Sequence, residues 1–179
     1  MATLTLGFVG LGIMGKGMAR NLLTKANASL VVWNRSPAVC EELSAAFPGK
    51  VTIAENAKDV VDRCQITLSM LSDMTASEAV YDAPEIGMLL GVSGGKVIVD
   101  CSTISAERMV EVSSKVEARG GLFLEAPVSG SKVCMHICIY VCICMYLSFK
   151  FQGYIMFDKY ISMILINSST FLLFYVYMH

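Results

Sequence analysis

The 179-residue chain has no large excess of charge of either sign, with 14 Lys and Arg residues against 15 Asp and Glu residues. Nucleic acids attract proteins through clustered basic charge, so this balance predicts no nucleic-acid partner. The chain also lacks a basic N-terminal segment followed by a cleavable apolar stretch, since an apolar run already begins at Leu4. We therefore expect no signal or transit peptide, and a cytoplasmic protein.

A second deficit is confined to the C-terminal quarter of the chain. Residues 133–179 contain no Ala, Pro, Glu, Arg or Trp, and their only charged residues are Lys150, Asp158 and Lys159. A flexible linker would instead be polar or rich in Gly and Pro. We therefore divide the chain into one domain at 1–132 and an apolar tail at 133–179 in which no domain is recognisable.

The composition of this tail matches a simple nucleotide repeat. TGT, ATG, TAT and GTA, the codons of Cys, Met, Tyr and Val, are the successive codons of a repeated TGTA, and these residues dominate positions 133–146. The codon of Val133 begins with GT, the usual first two bases of an intron. We hypothesise that the tail is a translated retained intron or a gene-model error. Comparing genomic DNA with full-length cDNA tests this, and a spliced coding exon for the tail would contradict it.

The tail admits two other interpretations. Its cysteines and its first histidine lack the paired C-x-x-C spacing of zinc sites, so we expect no metal; they are Cys134, His136, Cys138, Cys142 and Cys144. Residues 160–178 are uncharged and long enough to span a bilayer, although polar residues at 167–170 weaken that hypothesis. A tail-anchored membrane protein therefore stays an alternative.

Within 1–132, apolar runs alternate with helical patterns. The predicted strands are 4–9, 30–33, 51–53, 66–71, 96–100 and 122–125. The predicted helices are 14–26, 36–47 with Ser36 as N-cap, 55–63, 75–81 and 105–118. Strands that alternate with helices imply parallel pairing and right-handed crossovers. The predicted fold class is α/β, a Rossmann-like doubly wound parallel sheet with ligands at the carboxyl ends of its strands.

A glycine-rich G-x-G-x-x-G loop lies between the first strand and the first helix. It consists of Gly10, Leu11, Gly12, Ile13, Met14 and Gly15. The first glycine permits the tight turn, the second lets the backbone approach a pyrophosphate, and the third lets the helix pack on the strand. The helix N-terminus then offers unpaired N–H groups to phosphates. The loop therefore predicts a bound dinucleotide.

The end of the second strand predicts which dinucleotide is bound. Here Asn34, Arg35 and Ser36 stand where an acidic residue would accept hydrogen bonds from the ribose 2′-hydroxyl of NAD. A guanidinium pairs bidentately with a phosphate, so these residues favour NADP. The alternative is that Arg35 is a solvated turn residue.

Five motifs in order carry a family resemblance: GFVGLGIMGKGMARNLL, VVWNRS, LSMLSD, VDCSTIS and LEAPVSGSK. Over residues 3–132 the chain resembles the β-hydroxyacid dehydrogenases, which include 3-hydroxyisobutyrate dehydrogenases and the glyoxylate/succinic semialdehyde reductases. GLGIMGK and APVSGSK look most like the plant-type reductases. The resemblance implies hydride transfer between NADP(H) and a small hydroxyacid or aldehyde acid. The more distant 6-phosphogluconate dehydrogenases, which share the fold and the Arg, stay an alternative.

The resemblance also implies roles for further residues at the strand ends. Asn34, Arg35 and Ser36 would hold the 2′-phosphate, Leu71 and Ser72 would lie along the cofactor, and Thr103 would sit near the nicotinamide ribose. The substrate carboxylate would be held by Ser129, Gly130 and Ser131.

Local alternatives to these implied roles remain open. Ser72 and Asp73 would equally suit a cap of the next helix, and Thr103 would suit a turn. Cys101 fits a buried core thiol better than a nucleophile, because the sequence places no base near it.

The resemblance ends after Lys132. The family's catalytic group is a Lys in a K-x-x-x-N motif of a second, helical domain, which also forms the family's dimer. Neither that motif nor that domain is recognisable in the tail. No catalytic residue is therefore identified, and we expect a truncated, non-catalytic NADP-binding form that does not form the family's dimer.

Overall fold

The computed structural model describes residues 4–128 and two C-terminal strands at 160–167 and 170–178. The strands are β1 Thr5–Val9, β2 Ser29–Trp33, β3 Val51–Ile53, β4 Ile66–Ser69, β5 Val97–Asp100, β6 Leu122–Glu125, β7 Tyr160–Asn167 and β8 Thr170–Met178. The helices are α1 Ile13–Thr24, α2 Pro37–Ala46, α3 Ala57–Arg63, α4 Met74–Tyr81 and α5 Ala106–Glu117, with a short 3₁₀ helix at Met88–Gly91.

Six parallel strands form the sheet in the order β3-β2-β1-β4-β5-β6. The chain moves outward from β1 to β3 and then returns to β4 on the other side of β1. This reversal opens a crevice outside the carboxyl ends of β1 and β4, where open α/β sheets bind ligands. The predicted Rossmann-like doubly wound sheet is therefore confirmed.

Two apolar cores cover the two faces of this sheet. Successive strand residues point to opposite faces, so Leu30 and Val32 enter the core under α1 and α2, whereas Val31 enters the core with α3, α4 and α5. β5 repeats the alternation, with Ile98 on the second face. Strands buried on both faces need the near-continuous apolar runs that the sequence shows.

The element ends differ from the prediction by one or two residues at most positions. β4 ends at Ser69 rather than at Leu71, and α3 begins at Ala57 rather than at Glu55. The start of α3 is set by Asn56, whose side chain accepts a hydrogen bond from Asp59 N at 2.9 Å. The 3₁₀ helix at Met88–Gly91 was not predicted, because four residues carry too little periodicity to be recognised.

The two C-terminal strands extend the sheet with antiparallel pairs. β7 pairs with β8 from Tyr160↔Tyr177 to Asn167↔Thr170, and β8 pairs with β6 at Leu124↔Met178 and Glu125↔Tyr177. The candidate membrane span at 160–178 is thus corrected to strand structure on either side of 168–169. Segments rich in Ile, Phe and Tyr favour strands, and the polar residues near 168 divide the run. No helix among the described residues is long and apolar enough to cross a bilayer.

Candidate functional site

The glycine loop follows β1 directly and contains two glycines that the fold itself requires. Gly10 has a φ of +91°, and its N–H donates to the Trp33 carbonyl at 3.1 Å. A Cβ on Gly10 would collide with the backbone of Met70, and a Cβ on Gly15 would collide with the Gly10 carbonyl. These two glycines let β1, α1 and the end of β4 come together.

Gly12 differs from both, because a Cβ at this position would meet no atom within 4 Å. It is exposed and occupies the N-cap of α1, which has neither a side-chain cap nor an acidic residue in its first turn. By contrast, the N–H groups that begin α3, α4 and α5 are capped by Asn56, Asp73 and Ser105. The first turn of α1 therefore presents uncapped donors and the positive end of a helix dipole to an open space, which fits a pyrophosphate.

Asn34 connects the glycine loop to the end of β2. Its Oδ1 accepts a hydrogen bond from Leu11 N at 2.9 Å, and its Nδ2 donates to the Ser36 carbonyl at 3.2 Å. The sequence predicts only a 2′-phosphate role for Asn34 and does not reveal this contact, which fixes the glycine loop. Its signal in the sequence is an Asn just after the second strand, but the contact spans 23 residues and becomes visible only in the fold.

Arg35 and Ser36 follow at the surface beside this loop. Arg35 is exposed, and among residues 4–128 no carboxylate lies within ion-pairing distance of its guanidinium. Ser36 is the N-cap of α2, as predicted, yet its side chain makes no capping hydrogen bond. An unpaired guanidinium thus stands next to a second uncapped helix start, an arrangement that suits a phosphate.

Asp73 caps α4 on the opposite side of the crevice. Its Oδ1 accepts from Ala76 N at 2.8 Å, and its Oδ2 accepts from Ser72 Oγ at 2.6 Å. The Ser72 hydroxyl and then the Ala76 amide lower the pKa of Asp73, and the charge of Arg35 adds to this effect. The capping interpretation is confirmed for Asp73, whereas the cofactor role of Ser72 stays a prediction.

A buried polar cluster that the sequence analysis missed lies behind the crevice. The Asp100 carboxylate, fully buried at the end of β5, accepts hydrogen bonds from Ser69 Oγ and Tyr81 Oη at 2.7 Å and from Ser102 N at 2.8 Å. Burial, together with the Asp100 charge, raises the pKa of Tyr81 well above its ordinary value, so its hydroxyl stays protonated. The signal in the sequence is the acid that ends the apolar strand VIVD.

The loops after β4, β5 and β6 meet at this cluster. Leu71 N donates to Ser102 Oγ at 2.9 Å, and Thr103 Oγ1 donates to the Val128 carbonyl at 3.3 Å. Leu71 and Thr103, both predicted to face the cofactor, are therefore held in neighbouring loops. Cys101, which directly precedes Ser102, is buried, as expected for a core thiol.

Several predicted residues fall outside the described part of the chain. The predicted substrate loop, Ser129, Gly130 and Ser131, begins immediately after Val128, the last described residue of the domain. The Cys and His residues of the tail also lie outside it. Within the described residues, no group of three or more His, Cys, Asp or Glu side chains is arranged to hold a metal ion.

Comparisons with known proteins agree with this geometry. Residues 5–136 match the family model described as the NAD binding domain of 6-phosphogluconate dehydrogenase. Glyoxylate/succinic semialdehyde reductase 1 of Arabidopsis thaliana is 40% identical over 127 residues, which cover 70% of this chain and 42% of the relative. The human cytokine-like nuclear factor N-PAC is 38% identical over 127 residues, covering 71% of this chain and 22% of the relative.

Solved structures give the same result. The 3-hydroxyisobutyrate dehydrogenase of Mycobacterium tuberculosis superposes with a TM-score of 0.64 at 27% identity, covering 74% of this chain and 43% of that one. Psf3 in complex with NADP+ and 2-OPP gives a TM-score of 0.66 at 28% identity, covering 72% and 44%. The chain thus spans less than half the length of these relatives. It belongs to the β-hydroxyacid dehydrogenase family, of which it contains the N-terminal dinucleotide-binding domain.

Proposed function

We propose that this chain is the NADP-binding domain of an oxidoreductase that transfers hydride between NADP(H) and a small hydroxyacid or aldehyde acid. The observation that carries the proposal is the open space at Gly12, faced by the uncapped start of α1 and flanked by the unpaired Arg35. A pyrophosphate needs the open space and the uncapped helix start, and a 2′-phosphate needs the unpaired guanidinium.

The preference for NADP over NAD rests on the end of β2. An acidic residue there would accept hydrogen bonds from a ribose 2′-hydroxyl and would repel a 2′-phosphate. Asn34 is instead engaged with the glycine loop, which leaves Arg35 and the hydroxyl of Ser36 to meet the phosphate. The similarity to Psf3, whose structure contains NADP+, supports this choice.

The proposed substrate class, a small hydroxyacid or aldehyde acid, is inferred from the names of the relatives. Two of them are reductases of glyoxylate and succinic semialdehyde, and a third is a 3-hydroxyisobutyrate dehydrogenase. When bound, the nicotinamide supplies the hydride chemistry. We assign Leu71, Ser72 and Thr103 to the cofactor. The substrate carboxylate is assigned to Ser129, Gly130 and Ser131.

Residues 1–132 are proposed to bind the cofactor without turnover on their own. The match covers 42% of the Arabidopsis reductase, and no K-x-x-x-N motif is recognisable in residues 133–179. The intron hypothesis for 133–179 is proposed as the origin of this difference. No general acid/base for the carbonyl oxygen is identified among residues 1–132.

Titration of the full chain with NADPH and NADH tests the cofactor proposal. Arg35→Ala should weaken NADPH binding about 10- to 100-fold, because a charge-assisted phosphate contact is lost, and should leave NADH binding within about twofold. Arg63→Ala, which removes an exposed arginine on α3, is the matched control and should change neither affinity. Equal binding of both dinucleotides by the wild-type chain would contradict the NADP assignment.

Turnover is tested in two separate assays. The first combines NADPH with glyoxylate or succinic semialdehyde, and the second combines NADP with 6-phosphogluconate. We expect cofactor binding without oxidation or reduction of the nicotinamide. Steady turnover of an aldehyde acid would contradict the non-catalytic proposal, and turnover of 6-phosphogluconate would favour the alternative family assignment.

A further inference from the structure

Two groups of hydrogen bonds shape the crevice, and they have no residue in common. The first joins β1 to β2 through Gly10, Leu11 and Asn34. The second joins the loops after β4 and β5 through Asp100, Ser102 and Leu71. A dinucleotide that lies across the crevice would meet the first group with its adenosine half and the second with its nicotinamide half.

Asp100 is fixed from three sides. Ser69 and Tyr81 donate to its Oδ2, and these two hydroxyls lie 2.8 Å from each other. Its Oδ1 accepts from Ser102 N, so the backbone at Ser102 is held against the end of β5. A buried carboxylate with three donors has little freedom to turn, which makes it a rigid support for the loop that follows.

Ser102 connects the loop after β5 to the neighbouring loop after β4. Its side chain is completely buried, and its Oγ accepts the hydrogen bond of Leu71 N at 2.9 Å. Leu71 is buried as well, and the next residue, Ser72, is exposed at the crevice. Without the hydroxyl, a buried N–H would lose its acceptor, and the segment at 70–72 would move to find another.

We propose that Ser102, oriented by Asp100, is a positioning residue that sets the nicotinamide half of the cofactor site through the backbone of Leu71. The proposal rests on the proposed NADP-binding function. It assigns no contact between Ser102 and the cofactor. The adenosine half is assigned to Gly12 and Arg35, which follow β1 and β2 and share no hydrogen bond with Ser102.

The test compares NADPH with adenosine 2′,5′-bisphosphate, which carries only the adenosine half, as ligands of the full chain. Ser102→Ala should weaken NADPH binding about tenfold and leave the bisphosphate within about twofold. The fluorescence of saturating bound NADPH should also move toward that of free NADPH, because the nicotinamide loses its fixed surroundings.

Two further variants separate positioning from general loss of stability. Ser77→Ala is the matched control, since Ser77 is also fully buried but hydrogen-bonds Arg108 of α5 rather than Asp100 or Leu71; it should leave both affinities unchanged. Tyr81→Phe keeps the aromatic ring and removes one donor to Asp100, so it should weaken NADPH binding about two- to fivefold even if Ser102→Ala does not fold.

Equal weakening of both ligands by Ser102→Ala and Tyr81→Phe, or no effect on either ligand, would overturn this inference alone. A wild-type chain that binds neither NADPH nor the bisphosphate would overturn the proposed function and the inference with it.

Discussion

The three glycines of the loop have separate physical roles, although one motif contains all of them. Gly10 and Gly15 face backbone atoms that leave no room for a Cβ, whereas Gly12 faces open space. Replacing Gly10 or Gly15 therefore damages the fold, whether or not a ligand is present. Of these three glycines, only Gly12 has open space where a side chain would stand, and there we propose that the ligand lies.

Gly12→Ala should consequently separate binding from folding. The backbone of Gly12, with φ −64° and ψ −167°, is accessible to alanine, so the free energy of unfolding should change by less than about 1 kcal/mol. NADPH binding should fall at least about tenfold, because the methyl group occupies the space needed by the pyrophosphate. Urea unfolding and NADPH titration measure the two effects.

Gly15→Ala is the contrasting variant and should lower the free energy of unfolding by several kcal/mol, since it forces α1 away from β1. A Gly12→Ala chain that binds NADPH as tightly as wild type would show that the cofactor does not approach this residue.

Thr67 in β4 contains the one buried side-chain oxygen or nitrogen without a hydrogen-bond partner among the described residues. Thr67→Val replaces this hydroxyl with a methyl group of similar shape and should raise the free energy of unfolding by about 1 kcal/mol. Urea unfolding checks the change. Ser69→Ala, two residues further along the strand, should act in the opposite direction because it removes a donor to Asp100. The Thr67 hydroxyl lies beside Gly7 of β1. Destabilisation by Thr67→Val would show that this space does not accept a methyl group.

At the scale of elements, α4 and α5 are joined by one charged cluster. Arg108 is buried and donates to Ser77, Glu111 and Asp82, and Lys115 donates to Asp82 and Glu111 as well. Burial alone would raise the pKa of Asp82, but hydrogen bonds from Lys115 and Arg108 outweigh it and hold that pKa below its ordinary value. The carboxylate is therefore stabilised in the folded state.

The cluster predicts a loss of stability in acid. Because the folded-state pKa of Asp82 is lowered, its contribution is complete above the unfolded pKa of about 3.9 and disappears as the pH falls through the lower folded value. The urea midpoint should fall between about pH 5 and pH 3. The difference between wild type and Asp82→Asn should shrink over the same range.

Glu85→Gln removes an exposed carboxylate outside this cluster and is the charge-matched control. A difference between wild type and Asp82→Asn that stays constant from pH 5 to pH 3 would contradict the prediction.

The sequence predicted the elements better than their contacts. Apolar runs and their alternation with helical patterns were enough to place all six parallel strands and all five helices, because both patterns are local. The helix ends depended on single side chains such as Asn56 and Asp73, whose capping bonds move a boundary by one or two residues. The roles of Asp100 and Ser102 were not predicted, because Ser69 and Leu71, which they contact, lie 31 residues away along the chain.

For the whole molecule, the division at Lys132 leads to a prediction about solubility. Residues 133–179 carry only three charged side chains, so whatever part of them stays unpacked exposes apolar surface. A chain of residues 1–132 should therefore be more soluble than the full chain. Sedimentation of both at equal concentration measures this, and equal or better solubility of the full chain would count against the proposed boundary.

The amino-acid sequence by itself determined the class of fold, the glycine-rich loop and the family, because each depends on residue types at short, regular spacing; the contact of Arg35 with a 2′-phosphate stays a prediction. The tertiary structure alone decided which glycine faces open space, that Asn34 holds the loop, and that Asp100 and Ser102 tie the strand ends together. Parallel strands bring their carboxyl ends to one edge however far apart they lie in the chain. Contacts at that edge are therefore set by the strand order β2-β1-β4-β5 rather than by any local pattern.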